Sequence, residues 1–229
     1  MLLTTLLPLS LSLLLLPSTL AKPILLTHRA TEDAPLNATS IIATTAPKST
    51  SCDGVTTFAD ECATASHVAS YLPQAFQKYN VTTKGEMAAL LSLMAFETGD
   101  FRYNRNHFPE PGRPGQGTRN LQMAKYNLMY ALSIPELKDK ATEIAGGVTD
   151  GNSLTDDKKN QILELVMPDD YTWGSAAWFL TTQCDADVRE NLAAGTVKGF
   201  TLYMDCIGTS GTEDRVAYWA RAKGAFGLA

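Results

Sequence analysis

Glu97 is the residue of this 229-residue chain best placed to do chemistry. It follows Leu90 by seven residues and Met94 by three. It therefore shares the face of a helix whose apolar stripe is Met87, Leu90, Leu91 and Met94, at the spacing i, i+3, i+4, i+7. A carboxylic acid at the end of such a helix, half covered by apolar neighbours, is a candidate general acid able to protonate a glycosidic oxygen. Its structural alternative is an ion pair with Arg102 or Arg105. An inverting mechanism would need a second carboxylate about 6.5–9.5 Å away, and Asp100 and Glu110 are the candidate bases. A single-glutamate mechanism would need none.

These residues must be positioned by the elements around them. Thr83-Lys84-Gly85-Glu86 reads as a capping box that opens the helix, and Gly99 closes it. Residues 58–79 carry a second helical pattern in which Pro73 marks a break or kink. A segment rich in Gly and Pro follows over 99–120, without periodicity, and long segments of that kind tend to be functional. Further helices are expected at 124–133, 135–145, 155–167, 173–182, 186–193 and 213–225, the last opened by Thr212-Glu213-Asp214. No sustained alternation predicts a strand. The class is mainly α (α+β), with a small irregular or β segment.

The ends of the chain point to secretion. Residues 1–21 hold the apolar run Leu9–Leu16, ended by Pro17 and followed by Thr19-Leu20-Ala21, the pattern of a signal peptide too short to span a bilayer. Residues 22–50 read as a disordered Thr-rich linker or pro-segment, leaving 51–229 as the folded domain. Outside the cell, Cys52, Cys62, Cys184 and Cys206 are expected to pair. Three connectivities are open, and short loops favour Cys52–Cys62 with Cys184–Cys206. Asn37-Ala38-Thr39 and Asn80-Val81-Thr82 are glycosylation sequons.

A family resemblance runs through the same residues. Glu97-Thr98 resembles the Glu-Thr pair of family 19 chitinases, within the lysozyme-like superfamily. Gly115-Gln116-Gly117-Thr118-Arg119-Asn120-Leu121-Gln122 resembles their Gly-Arg-Gly-Pro-Ile-Gln segment. Ser175-Ala176-Ala177-Trp178-Phe179 looks like their buried helix, and Gly199-Phe200, Cys206 and Arg215…Tyr218-Trp219 look like their closing elements. The resemblance implies a two-lobed helical fold and a secreted glycoside hydrolase acting on chitin or peptidoglycan, with Glu97 as acid. Gln122 would hydrogen-bond the sugar, with Asn127 one residue out of the family register. The family's second Glu has no counterpart, because Arg119 stands at the matching distance. A non-catalytic glycan-binding or effector protein on the same scaffold is the alternative that this gap leaves open.

Other residues divide between binding and structure. Arg102, Arg105, Arg113 and Arg119, with His107, form a positive cluster that either holds a glycan or neutralises Glu97, Asp100 and Glu110. Tyr103, Phe108, Tyr126 and Trp173 could stack on sugar faces, whereas Trp178, Phe179 and Trp219 read as core. A formal charge of −5 argues against nucleic acid as a partner, and three histidines with no Cys-x-x-Cys argue against a metal site. The expectation is a monomer that needs no cofactor, takes a polysaccharide substrate and leaves the membrane once its leader is removed.

Overall fold

The computed structural model describes residues 37–228. The expected leader, the first part of the expected linker and His28 lie outside the described residues.

The described chain is mainly α. Its helices are α1 (Ala38–Thr45), α2 (Ala65–Lys78), α3 (Lys84–Glu97), α4 (Ala124–Ser133), α5 (Pro135–Ala145), α6 (Asp156–Val166), α7 (Asp169–Thr172), α8 (Ser175–Gln183), α9 (Ala186–Ala193), α10 (Val197–Cys206) and α11 (Glu213–Ala225). One device starts many of them. Thr64, Thr83, Thr155, Thr196 and Thr212 each accept a backbone N–H of the first turn, satisfying a donor that the helix itself cannot. At Thr83 the capping box is complete, with Glu86 reaching back to the Thr83 backbone N–H.

Helix α3 is the axis of the fold. Ten of its residues, Gly85–Glu86 and Ala88–Ala95, are buried, so its apolar character wraps all round it rather than forming one stripe. Two hydrophobic clusters surround it and its neighbours. The first joins α3 to α1, α2, α9, α10 and α11, and the second is built on α4, α5 and α6. Helix α8 belongs to both: Ala176, Ala177 and Leu180 face the first, Trp178 and Phe179 the second.

The structure differs from the sequence reading in three places. The folded unit begins before residue 51, because α1 buries Ile41 and Ile42 in the first cluster, and the Lys48 backbone N–H donates to Asp100 at 2.8 Å. Pro73 neither breaks nor ends α2, which runs through it to Lys78. Helix α10 sits where no helix was expected, started by the Thr196 cap and anchored by Phe200, Tyr203 and Met204. The segment after α3 is irregular, one of the two forms expected of it, and among the described residues it carries only isolated bridges of Gly117 with Arg105 and Gln122. Disulfides join Cys52 to Cys62 and Cys184 to Cys206.

Candidate functional site

The last turn of α3 determines what Glu97 can face. Thr98 caps it, its hydroxyl donating to the Met94 carbonyl at 2.6 Å and accepting the Phe101 N–H. Gly99, Asp100 and Phe101 then follow with φ of 58°, 65° and 65°, a left-handed turn that only glycine adopts freely. Asp100 is held there by buried bonds: its carboxylate accepts the Lys48 N–H and the Tyr218 hydroxyl, and its N–H donates to the Ala95 carbonyl at 2.7 Å. Phe101 is fully buried beside Trp173, their centroids 5.9 Å apart. The strained turn carries the chain away from α3 and leaves Glu97 at the surface of a cleft.

That cleft, of about 260 Å³, is lined by both polar and apolar side chains. Glu97, Gln116, Asn120, Gln122, Thr209 and Arg215 supply the polar groups, while Leu93, Leu121, Met123, Tyr126, Phe179 and Ile207 supply the apolar ones. Glu97 is a partner in an ion pair, its Oε1 lying 2.9 Å from Arg215 Nη2. The Arg215 guanidinium also stacks over Phe96 at 4.6 Å, and its Nε is buried without a partner.

Gln122 is fixed by a relay of amides. Ser175 and Thr118 hydroxyls lie 2.7 and 2.8 Å from Asn120 Oδ1, and Asn120 Nδ2 donates to Gln122 Oε1 at 3.3 Å. Gln122 Nε2 donates in turn to Asn127 Oδ1 at 2.8 Å, and Asn127 Nδ2 reaches the Gly115 carbonyl at 2.9 Å. Each member constrains the amide orientation of the next, so Gln122 is held by bonds within the protein.

The structure thus separates residues that the sequence had grouped. Glu97 and Gln122 line one cleft. Asn127 is completely buried and acts behind Gln122, not on a ligand. Asp100 is buried as a strut and cannot serve as a base in this cleft. Glu110 is exposed on a different surface, grouped with Phe58, His107 and Pro111. Tyr103 packs edge-on against Phe58, His107 and Phe108, away from the cleft lining. Arg119 is buried, donates to the Phe101 and Tyr103 carbonyls and lies 4.5 Å from the Trp173 ring centroid. Burial lowers its pKa to about 10, although Asp169 and Glu61 act in the opposite direction.

Part of the expected positive cluster stays together, with Arg105, His107 and Arg113 lining one concavity, and carboxylates meet Arg105 and His107 there. Arg105 pairs with Glu164 at 2.8 Å and lies 3.5 Å from Glu61. Glu61, a residue that carried no sequence signal, is 5% exposed and also binds His107 Nε2 and the Asn104 N–H, both at 2.8 Å. Its role shows only when residues more than forty positions apart meet.

Comparison with known proteins bears on the chemistry. No family model and no solved structure matches the chain. A curated relative does. The chain is 46% identical over 161 residues to a bifunctional dioxygenase (DOX)-epoxy alcohol synthase (EAS) of Fusarium oxysporum (strain Fo5176). The match covers 70% of this chain and 12% of that protein, so the chain spans a small fraction of its relative's length.

This finding corrects the resemblance to family 19 chitinases. The relative bears the name of an oxygenating, epoxide-forming enzyme, and the readings as a glycoside hydrolase, or as a glycan binder on its scaffold, fall with the polysaccharide substrate they required. The geometry concurs on one point: the candidate bases, Asp100 and Glu110, lie outside the cleft lining.

Oxygen chemistry is commonly carried by haem, flavin, copper or non-haem iron. Among the described residues no three His, Cys, Asp or Glu side chains converge to hold a metal ion. The cysteines are disulfide-bonded, and His67 and His107 each present Nε2 to a carboxylate, Asp169 at 2.9 Å and Glu61 at 2.8 Å. These residues do not fit a metal centre, and no redox step is assigned to them.

Proposed function

We propose that this chain is a secreted ligand-holding module associated with oxygenation chemistry, and that its ligand is an oxygenated compound with an apolar body. The relative's name supplies the chemical setting, an epoxy alcohol. The single structural observation behind the reading is that one cleft brings the Glu97–Arg215 ion pair and the amides of Gln116, Asn120 and Gln122 together with the apolar side chains of Leu121, Met123, Tyr126 and Phe179.

An epoxide oxygen accepts hydrogen bonds, and an alcohol both donates and accepts. Arg215 can donate to either oxygen, the Glu97 carboxylate can accept from the hydroxyl, and Leu121, Met123, Tyr126 and Phe179 can cover the hydrocarbon. The prefixed amides reduce the ordering cost of binding. Isothermal titration of the full chain with epoxydecanol and with decane tests this reading. Binding of epoxydecanol, at least about ten-fold weaker in Glu97→Gln, is expected from the loss of a charge-assisted hydrogen bond. Equal affinity for decane, or an unchanged affinity in the variant, would overturn it.

A further inference from the structure

A second concavity lies on another side of α3. Met87 and Leu91 face it, whereas Leu93 and Glu97 face the cleft. At 3.6 residues per turn Leu93 lies about 200° further round the helix than Leu91. The groove encloses about 390 Å³ where α1, α2 and α3 meet, with Ile41, Ile42, Leu72 and Phe76 in its walls and Phe226 beyond α11. Among the described residues no charged side chain lines it. Gln77 and Thr82 are its uncharged polar side chains.

Its rim restricts what can enter. Asn37 immediately precedes the lining residue Ala38, and Asn80 precedes the lining residues Val81 and Thr82. Both asparagines are exposed and both head sequons. Glycans there would stand beside the groove and hinder a protein surface more than a small molecule. The absence of lining charge disfavours an ionised head group, because burying an unpaired charge is costly. A volume of a few hundred Å³ suits a small ligand.

We propose that this groove is a second binding site, for an uncharged molecule with a hydrocarbon chain whose hydroxyl meets Gln77 or Thr82. The site is independent of the cleft and of the function proposed for it.

The test is displacement of the neutral fluorescent dye N-phenylnaphthylamine from the glycosylated full chain by dodecanol or dodecanoate. Dodecanol should compete at least about ten-fold better than dodecanoate. Met87→Lys should weaken dodecanol by at least about ten-fold, whereas Met87→Leu and Glu97→Gln should leave it unchanged. Gln77→Lys, at an exposed helix position, should shift the preference toward dodecanoate without disturbing the fold. Failure of dodecanol to displace the dye, equal competition by dodecanoate, or insensitivity to Met87→Lys would overturn the proposal. So would a ten-fold gain in affinity on changing Ile24, Leu25 and Leu26 together to Ser, which would identify the chain's own upstream segment as the occupant. Epoxydecanol also fits the groove, so the cleft is read in the Met87→Lys background: epoxydecanol binding that survives Met87→Lys and is lost when Glu97→Gln is added reports on the cleft and keeps the two sites distinguishable.

Discussion

Arg215, in the first turn of α11, holds the carboxylate of Glu97 at the end of α3 across a gap of 118 residues in sequence and 2.9 Å in space. The side chains are 17% and 23% exposed, so the pair is neither a solvated surface bridge nor a fully desolvated one. Exposed pairs stabilise proteins by only about 0–1 kcal/mol, and in a partly buried pair the cost of desolvation offsets the stronger attraction. Arg215→Gln should therefore lower stability by no more than about 1 kcal/mol in urea denaturation. A loss several times larger would show the pair to be mainly structural.

Gly85 lets α9 approach α3. A Cβ at this position would stand 1.9 Å from the Leu192 carbonyl oxygen, a rigid backbone atom that cannot turn aside. Gly85→Ala should destabilise the protein by about 1–3 kcal/mol despite the better helix propensity of alanine. Thermal unfolding measures this directly, and a rise in Tm would contradict the close approach.

Asp100 and Tyr218 tie the left-handed turn to α11, while the Lys48 N–H ties it to the segment after α1. Asp100→Asn and Tyr218→Phe should each cost about 1.5–3 kcal/mol, the range for a hydrogen bond to a charged group. The double variant should cost less than the sum, because each change removes the same contact. Additive losses in denaturant titrations would mean that the two act separately.

Alkaline stability follows from tyrosines held in their neutral form. Burial raises the Tyr203 and Tyr130 pKa values well above the ordinary value of 10, and burial with the Asp100 contact raises Tyr218 to about 12. Above pH 10 the unfolded chain loses these protons while the native chain keeps them. The native state then binds more protons, and stability falls as pH rises from 10 towards 12. Arg119, lowered to about 10, acts in the opposite direction over about 10–12.5, but it is one group against three. Tyr203 has a buried hydroxyl with no partner, so Tyr203→Phe should leave stability at pH 7 unchanged or raised, and should flatten the alkaline loss. Urea midpoints at pH 7, 10 and 11 check both statements.

The helices were legible because their signals are local. Thr83 and Glu86 define a start by chemistry four residues long, although the stripe read from Met87 to Met94 proves to be part of a helix buried all round. Helix α1 was not legible, since Ile41 and Ile42 sit among Thr, Ala and Ser and show their purpose only against α2 and α11. Glu97 could be singled out because it ends a helix, whereas Gln122 was reached only through the chitinase resemblance that the comparison overturns. What lay beyond sequence was the partner of each: Arg215 from the far end of the chain, and Asn120 and Asn127 bonded side chain to side chain. The same limit misplaced Asp100, whose proximity to Glu97 in sequence concealed a turn that buries it elsewhere. It also sustained the chitinase resemblance, for a motif order carries no statement about which carboxylates share a cleft.

The central claim is that the Glu97–Arg215 cleft holds an oxygenated apolar compound. It is tested most directly by isothermal titration of the full chain with epoxydecanol, decanol and chitin hexamer, wild type beside Glu97→Gln and Gln122→Ala. The account predicts binding of epoxydecanol in preference to decanol, at least about ten-fold weaker in both variants, with no heat from the hexamer. Binding of the hexamer with no response to epoxydecanol would contradict it.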